Sequence, residues 1–129
     1  MKKVRVGVIG VGYLGQHHAR LYSSLSDATL IGVTDADLVR AGEIATQFGT
    51  NAFPDAAALL QEVDAVSVAV PTSAHHAVVK TALKAGVHVL VEKPITVTRS
   101  EALELIELAE RQNRVLQVGH VERFNPAIQ

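Results

Sequence analysis

Apolar positions along the chain follow two alternating rhythms. Val4 to Ile9, Ala28 to Val33, Ala65 to Val70, His88 to Val91 and Val115 to Val118 are short aliphatic, largely β-branched runs. Their apolar residues are too dense for strands with one wet face, so they read as strands buried on both sides. Between them the spacing turns helical. Ala41, Ile44, Ala45 and Phe48 share one face with Gly49 as the stop, and Val78, Val79, Ala82 and Leu83 share another with Gly86 as the stop. A third helix opens at Thr98, which stands at capping-box spacing from Glu101, and is expected to bury Ala102, Leu105, Ile106 and Ala109. Glu107 and Arg111 fall outside it as an i, i+4 pair. Asn51 to Phe53 reads as a stub of strand ahead of Pro54 and a short alanine-rich helix.

Strands that alternate with helices through short loops require right-handed crossovers, and hence a parallel sheet covered on both faces. The expected fold is therefore a doubly wound, mostly parallel α/β domain, with 129 residues sufficing for one such unit. The chain has no cysteine, so neither disulfides nor thiolate chemistry enter, and a cytoplasmic setting is expected. A formal charge of −1 with both signs scattered offers no footprint for nucleic acid or an anionic membrane. The start, MKKVRVGVIGVG, resembles a secretory leader only in outline, because its apolar part is short and broken by glycines. No run approaches the roughly 18 apolar residues of a membrane span.

Candidate chemistry begins at Gly10, Gly12 and Gly15, a G-x-G-x-x-G that follows the first strand and opens a helix. The first glycine permits a tight turn, the second lets a pyrophosphate approach the backbone, and the third lets helix and strand pack closely. Tyr13 and Leu14 lie between the last two glycines, where the helix presents unpaired N–H groups to an anion. Asp35 stands at the end of the second strand, close to the distance at which a carboxylate meets an adenosine ribose. It would accept hydrogen bonds from a ribose diol and repel a 2′-phosphate, by about 1 to 4 kcal/mol per unit charge at about 4 Å. NAD is thus favoured over NADP, although Arg40 is close in sequence; Asp37 is the better candidate for a helix cap. His17 and His18 read as surface or packing residues, and as neighbours on a helix they do not share a face for a metal.

Ligands of open α/β sheets sit beyond the carboxyl ends of the strands. PTSAHHAV, EKPIT and GHVERFNP each follow a strand and so qualify. Together with GVIGVGYLG, the spacing of Pro71 and His75, the EKP of Glu92 to Pro94 and the ending VGHVERFNPAI, they resemble the glucose-fructose oxidoreductase, inositol dehydrogenase and MocA family of NAD(P)-dependent dehydrogenases. The ending is most similar to members that oxidise UDP-N-acetyl sugars.

The resemblance implies a Rossmann fold and hydride transfer between a nicotinamide and a secondary hydroxyl of a sugar, nucleotide sugar or cyclitol. It implies that Lys93 serves the hydroxyl as the catalytic cation or base. It also implies that Pro71, Thr72, His75, Glu92 and Arg123 belong to the cofactor site. Glu92 would face away from Lys93 in an extended segment, and His75 is also in register to pack within its helix. No metal is implied. Residues 1–120 are expected to form the dinucleotide-binding domain and 121–129 the start of a connection onward. The family continues into an α+β substrate domain with an acid/base pair, to which nothing in the 129 residues corresponds. The expectation is a cofactor-binding half, monomeric or part of a homo-oligomeric enzyme, with little turnover alone. A nucleotide-sensing regulatory module is the competing reading, against which EKP and VGHVERFNP argue.

Overall fold

The computed structural model describes residues 3–93 and 95–119. In chain order the elements are β1 (Val4–Ile9), α1 (Tyr13–Ser24), β2 (Ala28–Thr34), α2 (Leu38–Gln47), β3 (Asn51–Ala52) and α3 (Ala56–Leu60). They continue with β4 (Ala65–Val68), α4 (Thr72–Lys84), β5 (His88–Glu92), α5 (Arg99–Gln112) and β6 (Leu116–Gly119). The strands lie in the order β3-β2-β1-β4-β5-β6, each parallel to its neighbours. This is the doubly wound sheet expected from the alternation of rhythms. No helix among the described residues is long and apolar enough to cross a membrane.

Alternation along the strands divides the core in two. Val8 and Val33 face one side with Ala19, Ala41 and Ile44, from α1 and α2. Ile9, Val66, Val68, Val89 and Val91 face the other, against Val79, Leu83 and Leu105 from α4 and α5 and Leu59 from α3. Ser67 is paired with Val8, so it joins the α1 side and brings a buried hydroxyl into the sheet's middle.

Local signals set the helix ends. The Asp37 side chain accepts from Arg40 N at 3.1 Å and starts α2. The capping box at α5 has Thr98 Oγ1 accepting from Glu101 N at 3.2 Å. Most strands after β1 differ from expectation by one or two residues at an end. β4 stops at Val68, although Ala69 N still donates to Ile9 O at 2.9 Å. β6 begins at Leu116; the Val115 N–H donates to the His88 ring at 2.9 Å, although its carbonyl still accepts from Val89 N at 2.9 Å.

The expected stripe of α5 also needs correction. Leu105, Leu108 and Ala109 are buried, whereas Ile106 is 45% exposed. The buried arc is centred on Leu105, so Leu108 rolls inward on one side and Ile106, about 100° away on the other, rolls out. Truncating Leu105 to alanine is expected to cost about 3 kcal/mol in urea unfolding. Ile106→Ala should cost less than about 1 kcal/mol.

Candidate dinucleotide site

Gly10 leaves β1 with φ +91, and a Cβ there would lie 2.8 Å from the carbonyl of Ala69. Its N–H donates to Thr34 O at 2.8 Å, which ties the turn to the end of β2. At Gly15 a Cβ would fall 1.7 Å from Gly10 O. Glycine is therefore required at both, by conformation at the first and by close approach at the second. Gly12 differs, because a Cβ there would meet nothing within 4 Å. Its backbone faces open space at the start of α1, which has no side-chain cap and no acidic residue in its first turn.

That space is part of a cavity of about 770 Å³ at the carboxyl ends of β1, β2 and β4. Gly10, Gly12, Tyr13, Leu14, Asp35 and Pro71 line it, together with Thr34 and Ala36. Tyr13 stands at the rim, 78% exposed, edge-on to the His17 ring at 4.8 Å. The opposite wall was anticipated from the sequence only where PTSAHHAV supplies it. Pro54, Asp55 and Ala56 ahead of and within α3, and Ala74 and Val78 of α4, close the cavity with mainly apolar surface. The strand-end rule points to these segments, but their ordinary residue types do not mark them.

Asp35 has a second task beside facing the cavity. One carboxylate oxygen accepts from Val11 N at 2.8 Å and the other from Asp37 N at 2.8 Å. Asp35 thereby fixes the glycine loop, while Asp37 takes the capping role. Arg40, the cation near enough to raise the question of a 2′-phosphate, is tethered: Nε donates to Val11 O at 3.0 Å and a terminal nitrogen to Gln16 Oε1 at 2.7 Å.

Of the other expected residues, Thr72, His75, Glu92 and Lys93 are not among those that line this cavity. Thr72 opens α4 and is half-buried. His75 is buried at 2% exposure, with Nε2 2.8 Å from Val70 O and Nδ1 3.1 Å from Ile95 O. It faces inward and links the loops that follow β4 and β5. Lys93 is exposed just past β5, its N–H donating to Gly119 O at 3.1 Å. Arg123 and the 121–129 connection, with Pro94, lie outside the described residues.

Glu92 lies on the sheet face opposite Val91, buried at 6% exposure, and pairs with Nε2 of the equally buried His18. His18 Nδ1 is 3.0 Å from Ser67 Oγ, which is 2.5 Å from the Tyr22 hydroxyl. Sequence reading offered no partner for His18. Burial pushes the Tyr22 phenol up from its ordinary value; the hydrogen bond to Ser67 works against this, and the charge of Glu92 adds to it.

Comparison with known proteins agrees with this geometry. The model of an oxidoreductase family with an NAD-binding Rossmann fold, GFO/IDH/MocA, matches residues 4–120. The UDP-N-acetylglucosamine 3-dehydrogenase of Acidithiobacillus ferrooxidans is 50% identical over 129 residues, 100% of this chain and 41% of that enzyme. Its solved structure superposes with a TM-score of 0.91. Inositol 2-dehydrogenase of Acidothermus cellulolyticus is 37% identical over 131 residues, 98% of this chain and 38% of that enzyme. GenD2 of gentamicin A biosynthesis, solved in complex with NAD, is 30% identical with a TM-score of 0.89, covering 92% of this chain and 35% of its own. The chain spans about two fifths of the length of the curated relatives it matches.

The polar cluster makes stability depend on alkaline pH. The folded chain holds the Tyr22 proton more tightly than an unfolded chain, in which the phenol titrates near 10.0. This contribution is complete below 10.0 and is lost as pH rises through the higher folded value. Urea midpoints measured at neutral pH and above 10.0 should fall less in Tyr22→Phe than in the wild type.

Proposed function

The chain belongs to the GFO/IDH/MocA oxidoreductase family, whose fold is an NAD-binding Rossmann domain, and on that premise we propose that it is the cofactor-binding part of a dehydrogenase. The reaction is hydride transfer between NAD and a secondary hydroxyl of a sugar, nucleotide sugar or cyclitol. The observation that carries the reading is the cavity in which the open backbone at Gly12 and the carboxylate of Asp35 share one wall. A dinucleotide fits these walls. Gly10, Gly12, Tyr13 and Leu14 would hold the pyrophosphate at the start of α1, while Gly15 lets that helix begin close to β1. Asp35 keeps its remaining lone pairs for the ribose diol. Pro71, Thr72 and His75 shape the side after β4.

When bound, the nicotinamide supplies the hydride acceptor. Lys93, exposed beyond β5, is the residue assigned to the substrate. Oxidation of a secondary alcohol releases a hydride and a proton and leaves a carbonyl, and a cation or base at the hydroxyl oxygen lowers the barrier to that loss. Arg123 is assigned to the nicotinamide or substrate side as a second cation. A substrate domain beyond the connection at 121–129, weak turnover by this part alone, a homo-oligomeric intact enzyme and a cytoplasmic setting complete the proposal. A sensing module would have no use for a lysine at the hydride-transfer end.

Gly12 gives the clean test, since a Cβ there touches no protein atom. Gly12→Ala should keep the wild-type melting temperature, yet weaken NADH binding by about tenfold or more, or about 1.4 kcal/mol. NADH fluorescence reads this without interference, because the chain has no tryptophan. Equal NADH affinity in the variant, or no NADH binding by the wild type, would sink the reading. Asp35→Asn should lower the preference for NADH over NADPH by about tenfold, checked by parallel titrations.

A further inference from the structure

The buried polar cluster joins the two halves of the proposed site. His18 belongs to α1, the helix that begins at Gly12 and would receive the pyrophosphate. Glu92 is the last residue of β5 and directly precedes Lys93. The His18–Glu92 contact spans 74 residues of sequence in the sheet's interior. It crosses from β5 to the helix over β4, where Ser67 supports the other ring nitrogen.

Proton placement gives the cluster one direction when Glu92 is ionised and so can only accept. His18 Nε2–H donates to the carboxylate, Nδ1 accepts from the Ser67 hydroxyl, and Ser67 Oγ accepts from the Tyr22 O–H. Every polar group is then satisfied, as is each buried side-chain nitrogen and oxygen among the described residues. A network of this kind holds its members to a single geometry. Lys93 follows directly at a bend, exposed, with its N–H donating to Gly119 O at 3.1 Å, so fixing the buried carboxylate of Glu92 fixes the backbone from which the lysine extends.

We propose that His18 and Glu92 are a positioning pair that sets the distance between the phosphate cradle of α1 and the amine of Lys93. The pair touches neither cofactor nor substrate; it acts by locking the glycine-loop helix to the strand end that carries the lysine. This inference rests on the dehydrogenase reading, in which Lys93 stands beside the nicotinamide.

The test uses the 129-residue chain with its lysines reductively methylated with 13C-formaldehyde, which keeps their charge. Only Lys2, Lys3, Lys80, Lys84 and Lys93 are present, and Lys93→Arg assigns the signal of interest. In the wild type, NAD should shift the Lys93 methyl resonance, whereas ADP-ribose, which lacks the nicotinamide, should leave it in place. In Glu92→Gln and His18→Gln the affinity for ADP-ribose should stay within about twofold while the NAD-induced shift falls by about half or more, as expected when positioning and not binding is lost. Glu92→Asp keeps the charge and withdraws the carboxylate by one methylene, which serves if the other variants do not fold; it should show the same split. In the wild type, a long-range nitrogen–proton spectrum should show His18 protonated at Nε2 in slow exchange with water. A wild-type-sized Lys93 shift in the folded variants, or a His18 ring without a protected Nε2 proton, would overturn the positioning role. A wild-type Lys93 that ignores NAD would instead overturn the reading on which it rests.

Discussion

Strand β1 lies between β2 and β4, and the connections leaving those neighbours run to opposite faces of the sheet. At that point the layers separate, and the carboxyl end of β1 opens into a crevice that no helix fills. The cavity, the glycine turn and Asp35 all follow from this split. So does the exacting fit at Gly15, because a helix that begins at the crevice must start against the turn that leaves the strand. A side chain at that position would meet the carbonyl of Gly10 before it met anything else.

Asp35 shows how a ligand-facing group can also be structural. Its carboxylate holds Val11 N and Asp37 N, so the acid that would recognise a ribose is pre-oriented by the loop it supports. Arg40 completes the arrangement from the other side of the same residue, gripping Val11 O. A guanidinium held in this way keeps its charge beside the glycine loop but gives up freedom to reach a ligand. Removing Asp35 altogether would therefore disturb the loop as well as the ribose site, whereas an amide in its place keeps an acceptor.

What could be read from the sequence was what is encoded locally. The glycine spacing, the acid at the end of the second strand, the Thr98–Glu101 cap and the two helical rhythms lie within a few residues of the structure they cause. That the sheet is parallel and covered on both faces followed from the alternation and the handedness of crossovers, whereas the order of its strands was not read. The roll of α5 that exposes Ile106 and buries Leu108 depends on which neighbours the helix meets, and a single helix does not state that. The far wall at Pro54 to Ala56 consists of residues with no chemical signature. His18 is the sharpest case, since its partners lie 49 and 74 residues away. One polar residue on an otherwise ordinary helix face looks the same whether it meets solvent, apolar side chains or a carboxylate. Ser67, set inside an aliphatic strand, was the quiet sign that a polar partner was needed there.

The amide of Lys93 is bonded to Gly119, the last residue of β6, in register with Glu92. The lysine is thus anchored through its backbone to the outermost strand and through its predecessor to a helix on the inner part of the sheet. Edge strands are the parts of a sheet most easily displaced, having a neighbour on one side only. A load applied to β6 would reach the lysine through one hydrogen bond, whereas the phosphate cradle, three strands inward, would hardly register it. The domain is built like a lever, with a stiff root at the glycine loop and a tip that whatever adjoins β6 can move.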